Sequence, residues 1–265
     1  RPPPRSTPSN SSAASDVYKR QGKGGVGKTT SAINLGMAIN SLGGDVIVVD
    51  ANLTTPNIGL HLGAPLVPVS LNHVLNNKAK ISDAIYEHES GTKVLPSSLS
   101  IKELRKIKPE RIPGIAKKLK KLADYIILDS AAGLGSESLG AIDSADELII
   151  VTNPEIPAVT DALKTLKVAQ ELDKNIKGVI VNRVKRTRRE MSIKSIRDML
   201  ETPILGIIPE DKKVQKALQK RDAVLHLYPK AKSSKAFLKI SEKIMGKRNN
   251  NQGFWQRIKY NLGFD

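Results

Sequence analysis

The chain has 265 residues, a formal net charge of +17 and a hydrophobic content of 39%, enough for one large globular domain with a substantial core. It contains no cysteine, which excludes disulfide frameworks, thiolate metal sites and iron–sulfur clusters. Its longest apolar runs, such as Val46–Val49 and Ile126–Leu128, fall far short of the ~18 residues of a spanning helix, and its basic excess points to anionic partners.

Arg1–Asn10 is rich in Pro, Ser and Arg, and Ser11–Gln21 is polar. Ser11–Gln21 can be read from the codons of a common transposase-based sequencing adaptor. Arg1–Thr7 resembles a translated flow-cell adaptor and departs from it at Pro2. Residues 1–21 are therefore expected to be a non-native tail, set aside from fold reasoning. Asp16–Gln21 offers no apolar run, so the first strand of the fold is expected to be missing.

Gly22-Lys23-Gly24-Gly25-Val26-Gly27-Lys28-Thr29 satisfies the phosphate-loop pattern G-x-x-x-x-G-K-[ST]. Its glycines let backbone N–H groups turn inward around phosphate oxygens, and the helix that follows adds its positive N-terminal end. In this pattern Lys28 reaches the β- and γ-phosphates, the Thr29 hydroxyl ligates Mg²⁺, and Thr30 steadies the α-phosphate.

The predicted elements then alternate. Thr29–Leu42 reads as a helix stopped by Gly43-Gly44, and Asp45–Asp50 as a strand buried on both faces. Short helices are expected at Leu71–Leu75 and Ile81–Tyr86, a strand at Lys93–Pro96, a basic helix over Pro109–Asp124 and a strand at Tyr125–Asp129. Strands at Glu147–Val151, Gly178–Asn182 and Ile204–Ile208 alternate with helices at Val159–Leu172, Ser192–Leu200 and Ser233–Met245. Lys185–Arg189 is expected to open a helix. This alternation predicts an α/β fold, a doubly wound and mostly parallel sheet flanked by helices, over residues 22–246. Lys247–Gly253 reads as a linker and Phe254–Asp265 as a separate tail.

Lys23, a second lysine directly after the first glycine, resembles the deviant Walker A loop of the MinD/ParA family of P-loop ATPases. The resemblance covers Gly22–Met245 and is archaeal-like in the segment after the second strand. It implies ATP and Mg²⁺ as cofactors and a homodimer in which Lys23 reaches the partner subunit's nucleotide. Asp50-Ala51-Asn52 falls where the family carries Asp-x-Asp, whose second carboxylate helps position the attacking water. Asn52 stands there instead and cannot accept the water's proton. Tyr125–Asp129 resembles the Walker B strand, with Asp129 acting on Mg²⁺ through water. Ser130–Gly135 follows as switch II, in which Ala131 replaces a common proline and Gly133 can bring its N–H to the γ-phosphate. Asn182, Pro209, Glu210 and Asp211 resemble the base-binding positions, with Asn182 reading adenine. The absence of cysteine separates the chain from the nitrogenase iron protein and from the scaffold ATPases of iron–sulfur assembly.

What remains of the family is spatial organisation. On a helix, Phe254, Trp255, Ile258 and Leu262 share one face, with Arg257 and Lys259 outside it. This resembles the terminal membrane-targeting helix of MinD and suits an interfacial anchor on anionic lipid. Two such tails joined by an ATP dimer bind far better than one. The expected function is ATP-dependent positioning, with division-site placement first, from the cytoplasm and the inner face of the membrane, reversed by slow hydrolysis that an activator protein stimulates. Two alternatives stand beside it: a ParA-like ATPase binding DNA without sequence preference through Lys117–Lys121, Lys185–Arg189 and Lys212–Lys220, and a nucleotide-gated binding module with little hydrolysis.

Overall fold

A strand apolar on both faces needs cover on both, and Val46–Asp50 (β1) is buried at every position. The computed structural model describes residues 25–104 and 109–246. Helix α1 (Lys28–Ser41) precedes β1, and α2 (Ile58–His61), α3 (Leu71–Leu75) and a 3₁₀ turn (Ile81–Ala84) follow it. Strands β2 (Tyr86–Glu87) and β3 (Lys93–Leu95), α4 (Ile101–Leu104), a 3₁₀ turn (Pro109–Arg111), α5 (Ile112–Leu119) and β4 (Tyr125–Asp129) complete the first half. The second half alternates as α6 (Ser136–Ser144), β5 (Glu147–Thr152), α7 (Ile156–Glu171), β6 (Asn175–Val184), α8 (Ile193–Leu200), β7 (Ile204–Pro209), α9 (Lys212–Gln219), α10 (Val224–Leu227) and α11 (Lys232–Ile244).

Among the described residues the strands hydrogen-bond in two groups, ordered β2-β3-β1-β4 and β5-β6-β7. All pairings are parallel except the antiparallel β2–β3 contact. The architecture is thus the expected α/β one, with a mixed, mostly parallel sheet flanked by helices. One apolar layer joins α1, α10 and α11 to the inner faces of both strand groups: Ala32 and Met37 pack with Val48 of β1, and Leu35 with Ile180 of β6. The opposite faces are covered separately, by α3 and α5 over β1 and β3 and by α7 and α8 over β5 and β6. Helix α1 lies close against β1, because a Cβ on Gly36 would fall 2.3 Å from Val48 Cγ2.

Four expected elements differ in extent or kind. Pro109–Asp124 is a 3₁₀ turn followed by a helix that ends at Leu119. Pro113 sits in that helix's first turn, where its missing N–H costs nothing, and tight turns at Lys121 and Leu122 then redirect the chain into β4. Ile81–Tyr86 is a 3₁₀ turn only to Ala84, because Tyr86 pairs with Val94 and donates its hydroxyl to Val69 O at 2.8 Å. Lys185–Arg189 does not open a helix. Glu190 gathers the N–H groups of Lys185 (2.9 Å) and Thr187 (3.2 Å) on its carboxylate, Arg186 takes a left-handed φ of 58°, and α8 starts at Ile193 behind its Ser192 cap. Strand β6 runs from Asn175 to Val184, longer at both ends than Gly178–Asn182.

Candidate functional site

The site begins where the phosphate loop enters α1. Gly27 caps that helix with a left-handed φ of 91°, and a Cβ there would lie 2.3 Å from Asn182 Nδ2. Glycine is therefore required twice over, by backbone and by space. Asn182, near the C-terminal end of β6, donates its amide to Val26 O at 2.8 Å and accepts the Arg183 N–H at 2.9 Å. The loop is thereby tied to the second strand group.

Its other side meets the first strand group. Asp50 and Asp129 end β1 and β4 as register partners. Both are buried, with 0% and 2% exposure. Asp129 accepts a hydrogen bond from the Thr29 side chain and faces the Lys28 ammonium. Burial pushes the Asp129 carboxyl up to about 6, against the pull of Thr29 and Lys28. Burial, reinforced by the Asp129 charge, pushes Asp50 up to about 8, although Asp50 Oδ2 accepts the N–H groups of Asn57 (2.9 Å) and Ile58 (3.0 Å). Lys28 is lowered by its own burial, with Asp129 opposing.

Asp50 Oδ1 and Asp129 Oδ2 are buried without a hydrogen-bond partner among the described residues. Two such oxygens beside the Thr29 hydroxyl form a hard oxygen donor set, which fits Mg²⁺ directly or through its waters.

A cavity of about 530 Å³ opens over this corner. Gly25, Gly27, Lys28, Thr29 and Thr30 line its polar end, and Asn52, Ser130 and Ala132 come from the two switch segments. Its far end carries Asn182, Pro209, Glu210 and Asp211 with the apolar Ile208, Val214 and Leu218. The polar end suits phosphates and the apolar end a flat base. Glu210 pairs with Arg183 at 2.9 Å, and Asp211 caps α9 by accepting the Lys213 N–H at 2.9 Å while also holding Ser233 Oγ at 3.0 Å. Asn52 Oδ1 accepts the Thr55 N–H (3.2 Å) and hydroxyl (3.0 Å), so its oxygen is committed to its own turn.

Ten of the expected site residues thus line one cavity. Val26 contributes its carbonyl to Asn182, Asp129 stands beneath the loop, and Gly133, at a left-handed φ of 83°, is not among the lining residues. Gly22, Lys23 and Gly24, and the tail residues Phe254, Trp255, Ile258 and Leu262, lie outside the described residues.

Three residues to which sequence reasoning gave no role belong here. Asp50 was readable as a carboxylate ending a wholly apolar strand. His61 lines the cavity with a buried, unpartnered Nδ1, and burial lowers its pKa. Glu137 of α6 accepts both the N–H (3.2 Å) and the hydroxyl of Thr54, joining the two switch segments. No pattern in the sequence links positions so far apart.

Residues 20–224 match the CobQ/CobB/MinD/ParA nucleotide binding domain. The chain is 41% identical over 225 residues to an uncharacterized ATP-binding protein of Methanocaldococcus jannaschii, covering 85% of each. It resembles the structure of the septum site-determining protein MinD of Pyrococcus horikoshii complexed with Mg-ADP, with a TM-score of 0.80 and 35% identity over 84% of this chain and 92% of that one. It also resembles the MinC:MinD cell division protein complex of Aquifex aeolicus, with a TM-score of 0.76 and 30% identity over 87% of this chain and 96% of that one.

Proposed function

The chain belongs to the CobQ/CobB/MinD/ParA family of nucleotide-binding domains, and from that membership we propose that it is an ATP- and Mg²⁺-dependent positioning ATPase of the MinD type. The observation that carries this reading is the corner where Lys28, Thr29, Asp50 and Asp129 converge beneath a cavity with a polar phosphate end and an apolar base end. Lys28 and the loop amides hold the phosphates. Thr29 and Asp129, with Asp50 behind them, hold Mg²⁺, and Asn182 with Pro209–Asp211 holds the base. With its oxygen held by Thr55, Asn52 offers the water only its amide N–H and no acceptor for a proton, which makes intrinsic hydrolysis slow.

ATP joins two copies, with Lys23 of each reaching the other's nucleotide. The exposed apolar side chains Leu134, in the second switch segment, and Leu139, on the helix that follows it, support a partner face there. The dimer presents two copies of Phe254, Trp255, Ile258 and Leu262 to the inner face of the cell membrane. Attachment through these tails is peripheral; among the described residues no helix is long and apolar enough to cross a membrane. Likeness to a septum site-determining MinD and to a MinC:MinD complex favours division-site placement with a partner protein as activator.

One observation favours the DNA-binding reading: Lys185, Arg186, Arg188 and Arg189 stand exposed on one loop. Co-sedimentation separates the two. Anionic liposomes should retain the chain with ATP and release it with ADP or after removal of Phe254–Asp265. Retention by DNA alone, steeply weakened by salt, would establish the other surface, and retention independent of nucleotide would end both readings.

A further inference from the structure

Among the described residues, His88, Asp222 and His226 are the one set of three histidine or carboxylate side chains whose ligand atoms converge, all lying within 4.8 Å of one another. None of the three lines the nucleotide cavity. His88 Nε2 is 3.4 Å from Asp222 Oδ1, and His226 Nδ1 is 2.7 Å from Asp222 Oδ2. The two imidazoles meet edge to face, with centroids 5.1 Å apart and planes at 82°. The side chains of His88, Asp222 and His226 are 11%, 14% and 20% exposed, sheltered yet open to an ion from solvent.

Separate contacts aim each donor. His88 sits in the tight turn between β2 and β3, which the Gly91 N–H closes on His88 O at 2.7 Å with Gly91 at a left-handed φ of 77°. His88 Nδ1 accepts the Ser90 N–H at 3.1 Å and lies 3.0 Å from Ser90 Oγ, so that nitrogen keeps a partner in either tautomer while Nε2 faces Asp222. Asp222 accepts the Ala223 N–H at 2.6 Å, and His226 follows four residues on, one helical turn away. Both segments are moored to α1: Asn40 Nδ2 donates to Ser90 O at 2.9 Å, and Asn34 Oδ1 accepts the Leu225 N–H at 3.0 Å.

We propose that His88, Asp222 and His226 bind one Zn²⁺ or a similar borderline divalent ion, which clips the β2–β3 turn to the α9–α10 segment. Two neutral imidazoles and one carboxylate are a donor set that suits zinc, whereas Mg²⁺ and Ca²⁺ take oxygen. A tetrahedral ion with bonds of about 2.0 to 2.1 Å needs donors about 3.3 Å apart. The two measured spacings to Asp222 bracket that value, so small side-chain rotations close the set. Water takes the fourth position. The Ser90 hydroxyl then accepts the Nδ1–H of His88 and donates to Thr92 Oγ1 at 3.1 Å, the kind of outer contact that fixes a ligating imidazole. Without the ion, hydrogen bonds from the imidazoles to Asp222 hold the same three groups.

The test uses the full chain without nucleotide, in excess Mg²⁺ to fill the oxygen donors of the nucleotide corner. The probe is Zn²⁺ alone. One equivalent should bind with micromolar affinity or better, and Zn²⁺ at about a hundredfold above its Kd should raise Tm by about 5 to 10 °C. Diethyl pyrocarbonate should then modify His88 and His226 about tenfold more slowly, with His73, paired to Glu103, unchanged. His88→Gln and His226→Gln should each weaken Zn²⁺ binding by more than about tenfold, and His73→Gln should not. No binding at micromolar Zn²⁺, equal affinity in the His88→Gln and His73→Gln chains, equal slowing at His73, or loss of the bound Zn²⁺ to ATP and Mg²⁺ overturns the proposal. The labelling is read on the unaltered chain, so it decides even where a variant fails to fold.

Discussion

Two neighbouring side chains divide the chemistry of the first switch segment. Asp50 is sealed at the end of β1 against Asp129, while Asn52 faces the cavity with its oxygen held by Thr55. Burying two carboxylates together is costly unless a cation joins them. Asp50→Asn keeps the shape but removes the ionisation that burial opposes, so metal-free thermal stability at neutral pH should rise while Mg²⁺-dependent nucleotide affinity falls; paired melting curves and nucleotide titrations read both. Asn52→Asp supplies an acceptor for the water's proton, and steady-state turnover with ATP and Mg²⁺ should rise by about tenfold or more. At this scale the sequence was most readable where a motif demands a fixed spacing, as from Gly25 to Thr30. The pairing of Asp50 with Asp129 and the parts of His61 and Glu137 were not legible, because they come from β-register, burial and a contact across 83 positions, none of which is local.

Elements were legible wherever burial is uniform and the ends carry their own stop signals. β1, β4 and α3 fall where apolar runs place them, and α1 begins at the loop's own lysine. Misreadings cluster where a single polar side chain reorganises the backbone, as Glu190 does for Lys185–Arg189 and Tyr86 for the end of the 3₁₀ turn. The α9–α10 connection shows the same kind of device. Asp222 receives His226 at 2.7 Å and His88, from the turn after β2, at 3.4 Å. The hydrogen bond that His226 donates to Asp222 raises the His226 pKa, against its burial, with Glu89 adding a smaller pull. Burial works to raise Asp222, but the hydrogen bonds from His226 and His88 hold it well below the usual carboxylate range. The His226 contribution is complete below its ordinary value of 6.5 and fades as pH rises through the raised one; the Asp222 contribution is complete above 3.8 and fades as pH falls below it. Stability from this clasp should therefore peak between about pH 4 and 6.5. Thermal melts across pH should show that maximum in the parent and a flatter profile in His226→Gln. An unchanged profile would remove the clasp from the account.

The architecture of the whole molecule was readable from alternation alone, but the grouping of the described strands as β2-β3-β1-β4 and β5-β6-β7 was visible only in the strand pairing. Helix α1 belongs to both groups. Its Ala32 and Met37 pack on β1, its Leu35 packs with β6, Asn34 accepts the Leu225 N–H at 3.0 Å, and its first turn carries Lys28 and Thr29. A ligand gripping that first turn fixes a helix on which both halves rest. Calorimetry should then resolve two overlapping melting transitions without nucleotide and a single, higher one with ATP and Mg²⁺. On this account α1 acts as a keel, and the nucleotide decides whether the two halves unfold as separate bodies or as one.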